Sequence, residues 1–289
     1  MTAVEARKRP AAVVSVEETR ERAAPRTSGS ERAARILVPI VMLAALVGAW
    51  DLYVTIAQVP HYVLPGPALV AEAFVKDAPV LFRALVNTLR TTFSALALAL
   101  AGGVLLAIIM AQSRLVELAL YPYAVILQVT PIVAVAPLIL IYAPNTTTAL
   151  LIIAFLVAFF PVLSNTTQGL RSTDHNLLNL FELYGASRWQ TLWQLKLPSA
   201  LPYFLVGFRI AGGLALIAAV VAEFAAGSAG ADSGLAFRLL ESQFRLNIPR
   251  LYAALLLLSL TGVLIFAATS FISWLLLRKW HESAVRREN

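Results

Sequence analysis

Apolar runs of membrane-spanning length dictate the solvent for most of this chain. Six of them cover roughly 36–56, 91–112, 115–142, 147–165, 202–226 and 251–277. A run of about 18 or more apolar residues reads as a transmembrane helix, because a helix needs that length to cross the hydrocarbon. Composition agrees: 59% of the residues are hydrophobic, 13% are charged and the mean hydropathy is +0.77. A soluble domain carries about 25% charged residues. In lipid the backbone must satisfy its own hydrogen bonds. The expected fold is therefore all-α and integral to the membrane, with about six transmembrane helices. The third run holds Pro122, Pro131 and Pro137, so it is either one kinked helix or a broken one.

Basic residues orient these spans. Sixteen Lys and Arg fall on the side that holds both termini and the loop at 169–201, and six fall on the other. The excess marks the cytoplasmic side. The expected organisation is a disordered cytoplasmic tail at 1–35, a first span at 36–56 and an extracytoplasmic segment at 57–90. A core at 91–277 and a cytoplasmic tail at 278–289 follow. A signal peptide is the alternative for the first run. Trp50, Asp51 and Tyr53 end it without a small-residue cleavage pattern, which favours an uncleaved span.

Several function classes drop out. The net charge of +7 calls for no nucleic acid, since Arg32, Arg35, Arg278 and Lys279 flank spans and anchor on anionic lipid. With no cysteine there is no disulfide framework or thiolate metal site. His61, His175 and His281 lie in separate polar segments, so no metal set and no catalytic residue is expected. None of the lysines, Lys8, Lys76, Lys196 and Lys279, follows a glycine as a phosphate-cradling loop requires. The chain is not expected to bind a cofactor itself.

The polar break from Gly169 to Pro202 holds the best functional candidates. Two short helices are expected, Asn176 to Leu183 and Ser187 to Leu195, with Gly185 between them. Leu177, Leu180, Phe181 and Tyr184 recur at helical spacing and make one apolar face. Gly185 suits the positive φ of a tight reversal. Trp189, Leu192, Trp193 and Leu195 follow, and Pro198 and Pro202 are expected to stop the second helix before the next span. Two readings stand: a rigid element seated on a moving partner, or an interfacial helix lying on lipid.

The spacing Gly185, nine residues, then Leu195-Lys196-Leu197-Pro198 resembles the coupling loop of ABC-importer permeases of the binding-protein-dependent type I family. Gly185-Ala186-Ser187-Arg188-Trp189-Gln190 is similar to the form in nitrate, sulfonate and taurine permeases. The Glu-Ala-Ala of that loop is replaced by Asn179-Leu180-Phe181. His61 to Pro67, Asn87-Thr88-Leu89, Gln128 to Pro131 and Val221 to Phe224 also match, and the last resembles pyrimidine-precursor permeases. The resemblance implies one extra span plus a five-helix core and a homodimer. It also implies two partner ATPase subunits that use ATP and Mg2+, and an extracytoplasmic binding protein. Leu180, Phe181, Tyr184, Gly185, Ala186, Ser187, Arg188, Trp189, Leu195, Leu197 and Pro198 would form the coupling loop.

Polar groups inside spans are functional suspects by default. Gln128, Thr130, Asn165, Arg209 and Glu223 are the pathway or gate candidates. Arg209 either snorkels to the interface or faces the path, and Glu223 is either a gate or docking residue or an interfacial one. Phe237, Leu240, Phe244 and Ile248 suggest a second short amphipathic helix on the outer side, with Arg238, Glu241 and Arg245 on its other faces. Gly102-Gly103 and Gly212-Gly213 fit close helix crossings. A self-sufficient secondary transporter or channel is the rival reading. It would show an internal repeat, and residues 36–165 contain nothing like 176–198.

Overall fold

The computed structural model describes residues 29–227 and 233–278. The terminal tails expected at 1–35 and 278–289 fall largely outside these residues. All regular elements among the described residues are helical. Among the described residues five helices are long and apolar enough to cross a membrane, or six if one bent pair counts as a span.

Helix α1, Gly29–Ile56, stands as its own unit, and Leu37, Val38, Ile40, Val41 and Met42 on it are all exposed. A helix apolar on every side suits lipid as its surroundings. The division falls within the last turn of α1, and the described residues from Val54 onward form a second unit.

Helix α2, Pro67–Gln112, corrects the boundary expected at residue 91: the stretch from 67 to 90 belongs to the same helix as the span. One buried stripe runs through the supposed boundary, with Leu81, Ala84, Thr88, Thr92, Ala95 and Ala99 at spacings of three and four. Lys76, Arg83 and Arg90 sit on its exposed faces and disguise that continuity.

The third run is broken rather than kinked. Helices α3, Arg114–Val129, and α4, Ile132–Tyr142, meet at 101°. A residue before proline is pushed toward extended backbone, and proline offers no N–H. Thr130 and Pro131 accordingly take ψ of 123° and 105°. Pro122 and Pro137 stay inside their helices.

Helix α5, Thr146–Arg171, is the centre of the unit, packed on α2 and on α8, Leu197–Ala226. Small residues set these distances, as they do where lipid is the solvent. Ala95, Ala99, Ala154, Ala158, Ala211, Ala215, Ala218 and Ala219 fill the crossings. A Cβ on Gly103 would come within 2.9 Å of Val162, and one on Gly212 within 2.9 Å of Thr269. Gly102 has only ordinary contact with Phe159, and Gly213 faces open space. Only one glycine of each pair is therefore required by a crossing.

Between α5 and α8 lie α6, His175–Leu183, the single turn α7, Arg188–Thr191, and a π-helical turn, Leu192–Lys196. The prolines expected to stop the second short helix do not: helix runs unbroken from Arg188 to Ala226. The wider π turn sits directly before Pro198, and Leu197 N donates to Leu192 O, five residues back. Within the same stretch Ser199 Oγ donates to Leu195 O at 2.8 Å. Helices α9, Leu235–Phe244, and α10, Ile248–Leu277, complete the unit.

Candidate functional site

The reversal between α6 and α7 is fixed residue by residue. Asp174 caps α6, accepting from Asn176 N at 2.7 Å. At its other end Gly185 has φ of +68°, Gly185 N donates to Glu182 O, and Ala186 N donates to Phe181 O, both at 2.9 Å. That pair of bonds is a Schellman closure, which needs a left-handed residue at the position Gly185 holds. Two residues later a new helix starts with a capping box: Ser187 Oγ accepts from Gln190 N at 3.2 Å and Gln190 Oε1 accepts from Ser187 N at 2.7 Å. One helix is thus closed and the next opened within Gly185 to Gln190.

This reversal presents an apolar surface that its own chain leaves uncovered. No residue of α6 is buried. Leu177, Leu180, Leu183 and Tyr184 are exposed, and so are Trp189 and Trp193 across the turn. Gly185, Ser187 and Arg188 are exposed too, whereas Phe181, Ala186, Leu197 and Pro198 are half-buried. Leu195 is buried, and Leu192 packs with Met110, Ala124, Leu163 and Leu170. Leu195 and Leu197 therefore anchor the loop on the bundle, and the exposed set is what another body could touch.

A group that sequence reasoning passed over braces this end. Glu117, in the first turn of α3, is buried and pairs with Arg171 at the end of α5 and with Arg114 at 3.0 Å. Its signal was a lone carboxylate in an apolar run, four residues after the capping Ser113.

The structure separates the pathway candidates. Gln128 and Thr130 line a cavity of about 270 Å3 at the α3–α4 break, faced by Leu156, Phe160 and Pro161 of α5 and Leu214 of α8. Asn165 lies elsewhere: its Nδ2 donates to Pro161 O at 2.8 Å. A Cβ on Gly207 would come within 3.0 Å of Asn165's own Cβ. Arg209 is half-buried in α8, with its Nε buried and without a hydrogen-bond partner.

Of the two alternatives for Glu223, a gate or docking residue or an interfacial one, its burial speaks against the second. It is buried at 4% exposure, far from an interfacial residue. Its Oε1 accepts from the Thr88 hydroxyl at 2.8 Å and its Oε2 accepts from Ala236 N at 2.9 Å. Thr88 Oγ1 in turn accepts from Leu235 N at 2.8 Å, and Asn87 Nδ2 donates to Ser233 O at 3.4 Å. The carboxylate thus takes an orphan amide at the start of α9, where the helix dipole favours negative charge. A Cβ on Gly234 would lie 2.0 Å from that carboxylate.

This latch also sets how α9 faces the bundle. Leu235, Ala236, Leu239 and Ser242 are its buried face. Of the apolar stripe read from the sequence, Phe244 is 82% exposed, and Phe237, Leu240 and Ile248 are half-buried. Glu241 then gathers Arg238 at 2.8 Å, Arg245 at 3.1 Å and Arg250 at 3.7 Å, and Arg250 also reaches Asp77 of α2 at 3.8 Å. The hydrogen bond from Arg238 holds the Glu241 carboxyl below the usual carboxylate range, with the charges of Arg250 and Arg245 adding to it.

The two ends are well apart. Thr88 of α2 meets α9, while Gln112, about 36 Å further along that helix, shares a pocket with Leu178 and Arg188 of the reversal. A rigid, uncovered apolar reversal at one end and a charged, latched helix at the other frame a small-residue core.

Residues 103–282 match the family described as the binding-protein-dependent transport system inner membrane component. The chain belongs to that family. The formylaminopyrimidine transport permease of Halalkalibacterium halodurans is 33% identical over 248 residues, covering 86% of this chain and 97% of that protein. The riboflavin transport system permease of Chloroflexus aurantiacus is 32% identical, covering 85% and 90%. In fold, the chain matches the crystal structure of an amino acid ABC transporter with histidines at a TM-score of 0.57 and 17% identity, covering 71% of this chain and 96% of that one. This protein is the multi-pass membrane permease subunit of an ABC importer, a transport component.

Proposed function

We propose that this permease works as a homodimer coupled through the α6–α7 reversal to two ATPase subunits, which bind and hydrolyse ATP with Mg2+. The uncovered apolar surface of Leu177, Leu180, Leu183, Tyr184, Trp189 and Trp193 carries the reading. Its two caps make it stiff enough to pass on a displacement, and helix from Arg188 to Ala226 leads straight from it into a core span. ATP-driven closure of the ATPases draws the two reversals together and rocks the spans between inward-open and outward-open arrangements.

In this reading the reversal and both termini face the cytoplasm of a bacterial inner membrane, and the α9 end receives solute from an extracytoplasmic binding protein. The solute is a small organic nutrient. The names of the two relatives put heterocycles in range, and the likeness of Gly185 to Gln190 to nitrate, sulfonate and taurine permeases keeps anions in range as well.

Co-purification tests the coupling surface. Leu180→Asp and Trp189→Ala each alter one exposed apolar side chain, so the variants should insert normally but recover much less ATPase subunit from membranes. Full recovery of the ATPase with both variants, together with normal uptake, would return the reversal to the status of a helix lying on lipid.

A further inference from the structure

We infer, on the reading that this chain is an importer permease, that the α3–α4 break forms a transit site for an uncharged, hydrogen-bond-donating heterocycle, with Gln128 as its specificity-determining residue. Irregular backbone at membrane depth is tolerated where it is buried in protein or lines a water-filled cavity. At Thr130 and Pro131 the chain is irregular and the cavity of about 270 Å3 lies against it. That volume is just below the usual range for ligand sites, about 300–1,000 Å3, which suits a single small ring system.

The lining chooses among solutes by what it lacks and what it offers. It contains no ionisable side chain. A sulfonate or nitrate would give up its hydration here without a cation to replace it. Acceptors predominate among its polar groups. Pro131 has no N–H, so the Leu127 carbonyl loses its helical donor. Thr130 Oγ1 has given its proton to Ile126 O at 2.7 Å and retains only lone pairs for a ligand. The exposed Gln128 amide adds one acceptor and an NH2. Anions bring acceptors alone and fail twice, in charge and in hydrogen bonding. An aminopyrimidine or similar ring brings N–H donors for the Gln128, Thr130 and Leu127 oxygens and an acceptor for the Gln128 NH2. Its apolar faces suit Phe160, Leu156 and Leu214. Arg209, five residues before Leu214 in α8, is not part of this lining.

The test uses proteoliposomes holding the complete transporter, permease, ATPase and binding protein, with ATP on the ATPase side. Cytosine, thymine and hydroxymethyl-aminopyrimidine are compared with taurine, methanesulfonate and nitrate. ATP-driven uptake of a neutral ring is expected. Gln128→Leu should cut it about tenfold or more, the loss expected when polar partners go unpaired, and Gln128→Asn should restore part of it. Gln128→Leu should recover as much ATPase subunit on co-purification as wild type, which shows that the complex still assembles. ATP-driven uptake of anions alone would overturn the neutral-ring site while leaving the importer reading in place. So would neutral-ring uptake unchanged by Gln128→Leu. No uptake of any of the six solutes would also overturn the neutral-ring site, whereas uptake that needs no ATP would overturn the importer reading beneath it.

Discussion

At Gly234 a single hydrogen decides where α9 begins. A methyl group there would overlap the Glu223 carboxylate, since even a bare Cβ lies 2.0 Å from Oε1. Gly234→Ala should therefore break the bonds to Thr88 and Ala236 together and lower thermal stability by a few kcal/mol, the scale for leaving a buried charged group unpaired. Glu223→Gln can still accept one of the two bonds and should lose less. Melting of the purified permease in detergent measures both, and equal stability of Gly234→Ala and wild type would refute the latch. Gly185 presents the opposite case. Nothing lies within 4 Å of its missing Cβ, but its φ is +68°. Gly185→Val should cost about 1–3 kcal/mol of backbone strain without a clash, so the protein should insert while ATPase recovery and uptake fall. Unaltered recovery in Gly185→Val would separate the coupling role from this geometry.

At the scale of elements, the α9 helix is fastened twice, by Glu223 at its start and by the Glu241 arginine cluster along its side. Glu241 has a folded pKa below its usual value. A carboxyl of that kind adds stability above its unfolded pKa, which is lost as pH falls through the folded value. Order in α9 should then persist through the ordinary carboxylate range, near 4.5, and fail below it. Arg238→Ala should move that failure to higher pH. Amide exchange of α9, corrected for intrinsic rates, reads the transition, and a wild-type transition at or above 4.5 would contradict the arrangement. Local chemistry explains what was legible beforehand. Gly185, Ser187 and the apolar spacing of α6 act within a few residues, so the reversal could be read from its own letters. The facing of α9 could not. Its amides are held by Glu223 and Thr88, and Thr88 lies 147 residues from Leu235. Apolar periodicity along α9 carries no trace of that partner. The start of α2 was hidden because Lys76, Arg83 and Arg90 interrupt hydropathy on faces that the buried stripe does not use. The continuity through Pro198 was hidden because a π turn absorbs what a proline ordinarily breaks.

For the whole molecule, the ends differ in kind, and the permease reading assigns each a side of the membrane. The proposed direction rests on sixteen basic residues against six, and the α2 helix separates the two ends by more than the hydrocarbon thickness of about 30 Å. The chain has no cysteine, so single cysteines report position without background. Ser187 is exposed beside the reversal. Ser242 on α9 is fully buried, but its neighbour Gln243 is exposed and can carry the second probe. In intact cells stripped of their outer envelope, a membrane-impermeant maleimide should label Gln243→Cys and spare Ser187→Cys. In inverted vesicles the two should exchange. The reverse pattern would put the apolar reversal outside the cell, where no ATPase could reach it, and would take the coupling mechanism with it.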